Sequence, residues 1–367
     1  MLIDLHCHLG GAVPSAVLWE ILCDSGLQTE FESFDSLHRF LSVCSGDVKS
    51  LDDFLGRYFH STELIQSSPQ AANESAYQAV AKAYRRCSMA SQQEDEEKKL
   101  KNEFLGMEIR YNPLKRLHGG RHTLGAIIMA TIQGLQRVSM HYKVHTGILF
   151  SMGKELSAAN NWTIVQAAVA FRSHGPLRGA HGVVGIDMAG PESSGLDTNK
   201  AWLKEVKKMV EHAREAQLGI TWHVGETTHS GPDGLECILD TISPQRIGHG
   251  IQLGKAKGAQ LDRLCRQLRE KKICLEICPS VNLVTRSIQS LEEIADLIRL
   301  MDAEKIPFCL NTDNPYLIRT NLLQEYDSVR TVLGADAHLL EQAHEHARNH
   351  TFLKAVRDTA KATFLPI

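Results

Sequence analysis

"LEICPSVNLVTRS", residues 275–287, opens as a buried strand and ends as something else. Ile273, Leu275 and Ile277 alternate with Cys274, Glu276 and Cys278, the two-residue period of a pleated strand. Pro279 then breaks the run, and Ser280, Asn282 and Thr285 follow in what reads as a loop. The strand should serve the core, yet it carries a carboxylate inside its apolar run. A buried carboxylate needs donors, so Glu276 should point into the barrel or its polar lower layers, beside a donor that the sequence does not name.

Seven other short runs complete a set of eight. They are Leu2 to Cys7, "FLGMEIRY" (104–111), "KVHTGILF" (143–150), "GVVGIDMAG" (182–190), "LGITWHVGE" (218–226), "RIGHG" (246–250) and "IPFCLNTD" (306–313). Amphipathic segments such as 198–217 and 290–304 separate them. Strands alternating with helices predict the α/β class and a parallel sheet. Eight such units predict a TIM (β/α)8 barrel. Residues 14–90, including "AVLWEIL" and "SAYQAVAKAY", read as mostly helical, which makes an enlarged helical first connection. An open doubly wound sheet is the alternative, weakened because no G-x-G-x-x-G follows the first strand. The run "QQEDEEKKLKNE" (92–103) mixes both charge signs and reads as a solvated helix end or loop. With no repeat and no Pro- or Gly-rich linker, residues 1–367 are expected to form a single domain.

Composition narrows the function. Apolar content of 43% and charge of 23% are those of a soluble globular protein. A formal net charge of −3 predicts no attraction to nucleic acid or to anionic membranes. The start, MLIDLHCHLGG, lacks the basic region of a signal peptide, and no run approaches the ~18 apolar residues of a membrane span. Nine cysteines, an odd count without regular spacing, read as reduced and mostly buried thiols of a cytoplasmic protein. Oligomeric state is not legible.

The chemistry gathers where the strands end, the face on which barrel active sites lie. His6 and His8 share one side of the first strand at spacing i, i+2. His223 and Glu226 close the fifth run, His249 the sixth and Asp313 the eighth. Three imidazoles and one carboxylate from this group suit zinc, which in catalytic sites keeps a position for water. The other histidines, including His118, His122, His141, His145 and His344, read as surface or structural.

Together "DLHCHLGGAVP", "EIRYNP", "GIDMAGPE", "HVGE", "RIGHG", "LEICPSVN", "NTDNP" and "TNLLQEY" resemble, in order, the adenosine deaminase family of the amidohydrolase superfamily. The resemblance implies one Zn2+ per chain on His6, His8, His223 and Asp313. It implies Glu226 as the acid that protonates the purine at N1 and His249 as the group that orients and deprotonates the attacking water. It places the backbone N–H of Gly190 at purine N3 and Asn314 at N7. It also puts Ser280 and Asn282, just past the seventh strand, at the mouth of the site. The partner is then a small-molecule purine, and the reaction is hydrolytic deamination of an adenine nucleoside.

Two positions depart from the family's pattern. Gly10 stands where adenosine-specific members carry a carboxylate for the ribose 5′-hydroxyl, and Asn314 replaces the second aspartate of "TDDP". An amide can still donate to N7. The missing side chain at Gly10 is expected to vacate space beside C5′. The alternatives are therefore free adenine, a 5′-modified adenosine such as aminodeoxyfutalosine, or N6-methyl-AMP. A non-catalytic purine-binding barrel would be expected to lose some of these residues. The H-x-E and P-C-x-x-C deaminase type is excluded, since no P-C-x-x-C occurs.

Overall fold

The computed structural model describes residues 1–27, 29–91, 103–173 and 181–362. Eight strands follow one another in space as they do in sequence, all parallel. They are β1 (Leu2–His8), β2 (Phe104–Tyr111), β3 (His145–Gly153), β4 (Val183–Ala189), β5 (Gly219–Val224), β6 (Arg246–His249), β7 (Cys274–Ile277) and β8 (Phe308–Leu310). A parallel bridge between Cys7 and Asp313 brings the last segment back to the first, with His8 N–H donating to the Asp313 carbonyl at 2.7 Å and Asp313 N–H to that of His6 at 2.8 Å. The fold is a TIM (β/α)8 barrel, as the alternation of runs predicts.

The first connection is enlarged and helical. It holds α1 (Ser15–Ser25), α2 (Phe34–Phe40), α3 (Leu51–Phe54), α4 (His60–Ile65) and α5 (Pro69–Ser91), with one π-turn, Leu55–Phe59, joining α3 to α4. Of the charge run 92–103, all but Glu103 lies outside the described residues. The outer layer continues with α6 (Leu124–His141), α7 (Ala158–Ala170), α8 (Lys200–Glu215), α9 (Gly231–Thr241) and α10 (Gly258–Glu270). It closes with α11 (Pro279–Val284), α12 (Glu292–Glu304), α13 (Leu322–Leu333), α14 (Leu339–His350) and α15 (Lys354–Ala362).

One element departs from expectation. The segment after Pro279 is the short helix α11 rather than a loop. Proline favours the first position of a helix, where its missing N–H costs nothing and its φ is already helical. The same proline that stops β7 therefore starts α11.

The strands bury both faces. Outward residues such as Leu275, Ile277, Ile220 and Trp222 pack under the helices with almost no exposure. The inward positions are polar: His6, Glu108, Arg110, Asp187, Thr221, Arg246 and Glu276 are each 0% exposed. Because strand side chains alternate every two residues, this polar column and the apolar shell come from the same short runs. The nine cysteines are free. No described helix is long and apolar enough to cross a membrane.

Candidate active site

Glu276 has its donors inside the barrel. It accepts from Arg110 Nη2 at 2.8 Å, Arg246 Nε at 2.6 Å and Thr221 Oγ1 at 3.0 Å. Arg246 also donates to Glu108 Oε2 at 2.7 Å. Burial alone would raise the Glu276 carboxyl, but Arg110 and Arg246 outweigh it and hold the group below the usual carboxylate range. This buried charge layer is the floor of the site.

Two carboxylates rise from that floor to two imidazoles. Glu276 Oε2 lies 2.8 Å from His6 Nδ1, and Asp187 Oδ1 lies 2.9 Å from His223 Nδ1. The Asp187 contact is a hydrogen bond that fixes the His223 ring, the Glu276 contact sets a carboxylate beside His6 Nδ1, and both leave Nε2 for the centre of the barrel mouth. There His8 Nε2 stands 3.2 Å from His223 Nε2 and 3.5 Å from Asp313 Oδ1, while His6 Nε2 stands 3.9 Å from the same oxygen. His6 Nε2 is buried and has no hydrogen-bond partner. Burial, aided by neighbouring positive groups, holds His6, His8, His223 and His249 well below the usual histidine value, so they stand neutral with lone pairs available. Burial pushes the Asp313 carboxyl up to about 8, a cost that a cation between Asp313 and the imidazoles would remove.

These donors suit a transition-metal ion. Nitrogens and oxygens each ~2.0–2.2 Å from one ion stand at such mutual separations. Imidazole with carboxylate is a zinc-type donor set, and the orphaned Nε2 of His6 is the atom that most needs the ion. Cys278 falls within reach of His6 and Asp313, but burial pushes its thiol well above the usual range, and a protonated thiol is a poor ligand. The backbone is strained at two of these positions. His249 and Asp313 adopt φ of +64° and +57°, which non-glycine residues avoid unless the surroundings enforce it.

The stretch quoted at the outset supplies the next layer. Asn282, on α11, has Nδ2 3.1 Å from His249 Nδ1 and 3.3 Å from Glu226 Oε1. Thr285 and Ser287 place hydroxyls 3.4 and 3.5 Å from that same oxygen. Glu226 Oε2 lies 3.4 Å from His249 Nε2, which in turn is 3.8 Å from Asp313 Oδ2. Burial, then the charges of Glu192 and Asp313, raise the Glu226 carboxyl well above its ordinary value. Glu192 also clamps the backbone of this loop, accepting from the N–H of Glu226 at 3.0 Å and of Thr227 at 2.7 Å. Ser280 does not join the group; its N–H donates to Glu325 Oε2 at 3.0 Å, behind α11.

A cavity of about 690 Å³ opens above these groups, and His8, His223, Glu226, His249 and Asp313 all border it. A larger groove of about 1380 Å³ lies elsewhere, between α1, α2 and α13, and none of these residues borders it. Gly190 lines the smaller cavity with φ +113°, and a Cβ there would fall 2.4 Å from Glu155 Oε2, so only glycine fits. Asn314 also lines it; Nδ2 donates to Asp313 Oδ1, while Oδ1 is buried without a partner. The space beside Gly10 is not empty, contrary to expectation: a Cβ there would meet Thr62 Oγ1 at 3.1 Å and the Phe59 ring at 3.4 Å. His118, read as surface or structural, borders the cavity with His60. His344 does stack on Tyr326, as a structural histidine would.

Sequence reasoning missed Arg110, Asp187, Glu192 and Arg246. All four lay in three quoted motifs, "EIRYNP", "GIDMAGPE" and "RIGHG", as charged residues in or beside apolar strands.

The model of the adenosine deaminase family matches residues 2–362, nearly the whole chain. The chain belongs to the adenosine deaminase family. It is a member of a family of hydrolytic deaminases. An adenosine deaminase of Clostridium perfringens is 25% identical over 334 residues, covering 91% of this chain and 88% of its own length. One from Clostridium botulinum is 24% identical over 332 residues, covering 90% and 88%. Among solved structures, an Arabidopsis N6-mAMP deaminase is similar with a TM-score of 0.71 at 23% identity, covering 98% of this chain and 97% of that one. An adenine deaminase from Arthrobacter aurescens gives 0.73 at 16%, covering 98% and 99%. An amidohydrolase from Burkholderia ambifaria with bound Zn gives 0.75 at 18%, covering 98% and 92%. At these identities the structural likeness is one of fold.

Proposed function

We propose that this protein is a zinc-dependent aminohydrolase that replaces the 6-amino group of an adenine nucleoside by oxygen and releases ammonia. The observations that carry this are the approach of His8 Nε2 to His223 Nε2 and to Asp313 Oδ1, and of His6 Nε2 to the same oxygen, beside the buried carboxyl of Glu226. His6, His8, His223 and Asp313 would hold one Zn2+. When bound, the ion supplies Lewis acidity that brings a water's pKa toward neutrality.

The chain's own groups supply the rest. Glu226, whose carboxyl burial and the charges of Glu192 and Asp313 push well above its ordinary value, delivers a proton to purine N1 as electrons move onto that nitrogen during attack at C6. His249 takes a proton from the attacking water. Its Nε2 is the atom nearest Asp313 and Glu226, while Nδ1 meets the Asn282 side-chain amide at 3.1 Å. The proton held by His249 passes to the 6-amino group and the C6–N bond breaks to release ammonia; the N1 proton stays on the 6-oxo product and the proton of the C6 hydroxyl restores Glu226, so one water is consumed and one ammonia released. Gly190 offers backbone to N3 and Asn314 its amide to N7. Nine free cysteines, six of them buried, support a cytoplasmic setting.

The test is a deamination screen over adenine, adenosine, 2′-deoxyadenosine, 5′-modified adenosines and N6-methyl-AMP, following the ultraviolet change on loss of the amine. Turnover of at least one nucleoside is expected. A zinc-loaded protein that deaminates none of these compounds would end the proposal.

A further inference from the structure

We infer that Phe59, packed across Gly10, sets what the site accepts at the sugar end of its substrate, and that the accepted group is apolar. The substrate class is an adenine nucleoside with an alkylthio, alkyl or aryl group at its 5′-carbon in place of a free hydroxyl. This rests on the deaminase reading above and narrows it.

The geometry starts at Gly10, two residues past His8 and on the wall of the same cavity. Any Cβ at this position would press on the Phe59 ring, 3.4 Å from both Cδ1 and Cε1. The ring stands edge-on to His8, with centroids 5.7 Å apart and planes at 86°. Leu51, Phe54 and Leu55 continue the same wall. A benzene ring therefore faces the place that a hydroxyl-binding carboxylate would fill.

The backbone explains why Phe59 arrives there. In a regular α-helix, residues five apart point about 140° away from each other. The π-turn Leu55–Phe59 widens the helix, so Phe54 and Phe59 share a face, with ring centroids 6.0 Å apart. Such turns are frequent at functional sites.

A hydroxyl placed here finds few partners. Thr62 Oγ1, the polar atom nearest Gly10, is fully buried and donates to the Phe59 carbonyl at 3.0 Å, so it can offer a 5′-hydroxyl only a lone pair. The acids of the surrounding wall are engaged: Glu63 with Arg116 at 3.5 Å, and Glu155 with Lys115 at 2.6 Å. Asp52 is exposed at the rim. Of the basic groups on this wall, Lys115 and Arg116 lie against these two acids, so a 5′-phosphate would compete with Glu155 and Glu63 for them, and Arg116 Nε and Nη1 make no hydrogen bond.

The experiment compares kcat/KM for adenosine and 5′-deoxy-5′-methylthioadenosine in the zinc-loaded protein and its variants. The wild type should favour the thioether by about tenfold or more, in the range that an apolar pocket can discriminate. Phe59→Leu should keep that preference, and Phe59→Asn should shift it toward adenosine by about tenfold. Gly10→Asp alone should lower turnover of both, because the ring leaves the carboxylate no room. Gly10→Asp with Phe59→Ala should turn the preference to adenosine. Thermal melting of each variant reports whether it is folded. A wild type that prefers adenosine, or a folded Phe59→Asn with an unchanged ratio, overturns the inference. So does turnover confined to free adenine or a 5′-phosphate, which spares the deaminase reading. Failure on every adenine compound defeats both.

Discussion

Glu276 Oε2 sits 2.8 Å from His6 Nδ1, so a carboxylate on the seventh strand stands against an imidazole on the first. The same oxygen accepts from Arg110 Nη2 at 2.8 Å, and Arg110 Nη1 reaches Asp187, the carboxylate behind His223, at 3.5 Å. One guanidinium thus ties together the two carboxylates that stand against two rings.

Glu276→Gln should weaken zinc binding by about 10- to 100-fold, the usual effect of losing such an outer partner. It should also destabilise the fold by roughly 3–5 kcal/mol, because Arg110 and Arg246 lose a buried counter-charge. Chelator competition at a temperature where the far-ultraviolet spectrum is native separates the two effects. Wild-type zinc affinity in this variant would show that Glu276 serves the core alone.

His223→Ala should lose metal and activity together, whereas His249→Ala should keep one zinc and lose most activity. Elemental analysis beside the rate assay distinguishes them. Equal loss of zinc in both variants would move His249 among the ligands, a place its ring could take by proximity to His6 and His223.

Glu226→Gln should retain zinc and bind substrate while turnover falls by ~10²–10⁴-fold, since an amide reaches N1 but delivers no proton. More than a tenth of wild-type turnover would be incompatible with proton delivery by this residue.

Asn282→Ala should lower kcat by about 10- to 100-fold with zinc retained, because it removes the group between His249 and Glu226. A change confined to KM would mean that Asn282 meets the substrate instead.

Glu325 gives a pH prediction away from the metal. Burial pushes its carboxyl up to about 7, despite donors from Thr320 and Ser280. The folded protein therefore holds this proton where the unfolded chain, near the ordinary glutamate value, has released it. That contribution costs stability as pH rises from about 4.5 toward 7, by roughly 3 kcal/mol at most. Glu325→Gln should make the urea midpoint at pH 8 fall less far below that at pH 5 than in the wild type. An identical pH dependence in both proteins would refute the assignment.

The barrel was legible without coordinates, and so was the placing of His6, His8, His223, His249 and Asp313 at or just past the ends of its strands. Short apolar runs alternate with helical segments, and a two-residue period says which side chains of a strand share a face, so His6 and His8 could be read as one pair. Their partners could not. Glu276 meets Arg110 across 166 residues and Arg246 across 30, and such contacts depend on strand register, tilt and barrel closure. Pro279 looked like the end of structure and is the start of a helix, the one that brings Asn282 beside His249. Gly10 looked like open space, and only packing reveals the ring of Phe59 there. Periodicity along a chain is local and survives in the sequence. Which side chain fills a void, or neutralises a buried charge, is settled by residues far away in the chain, and only tertiary structure decides it.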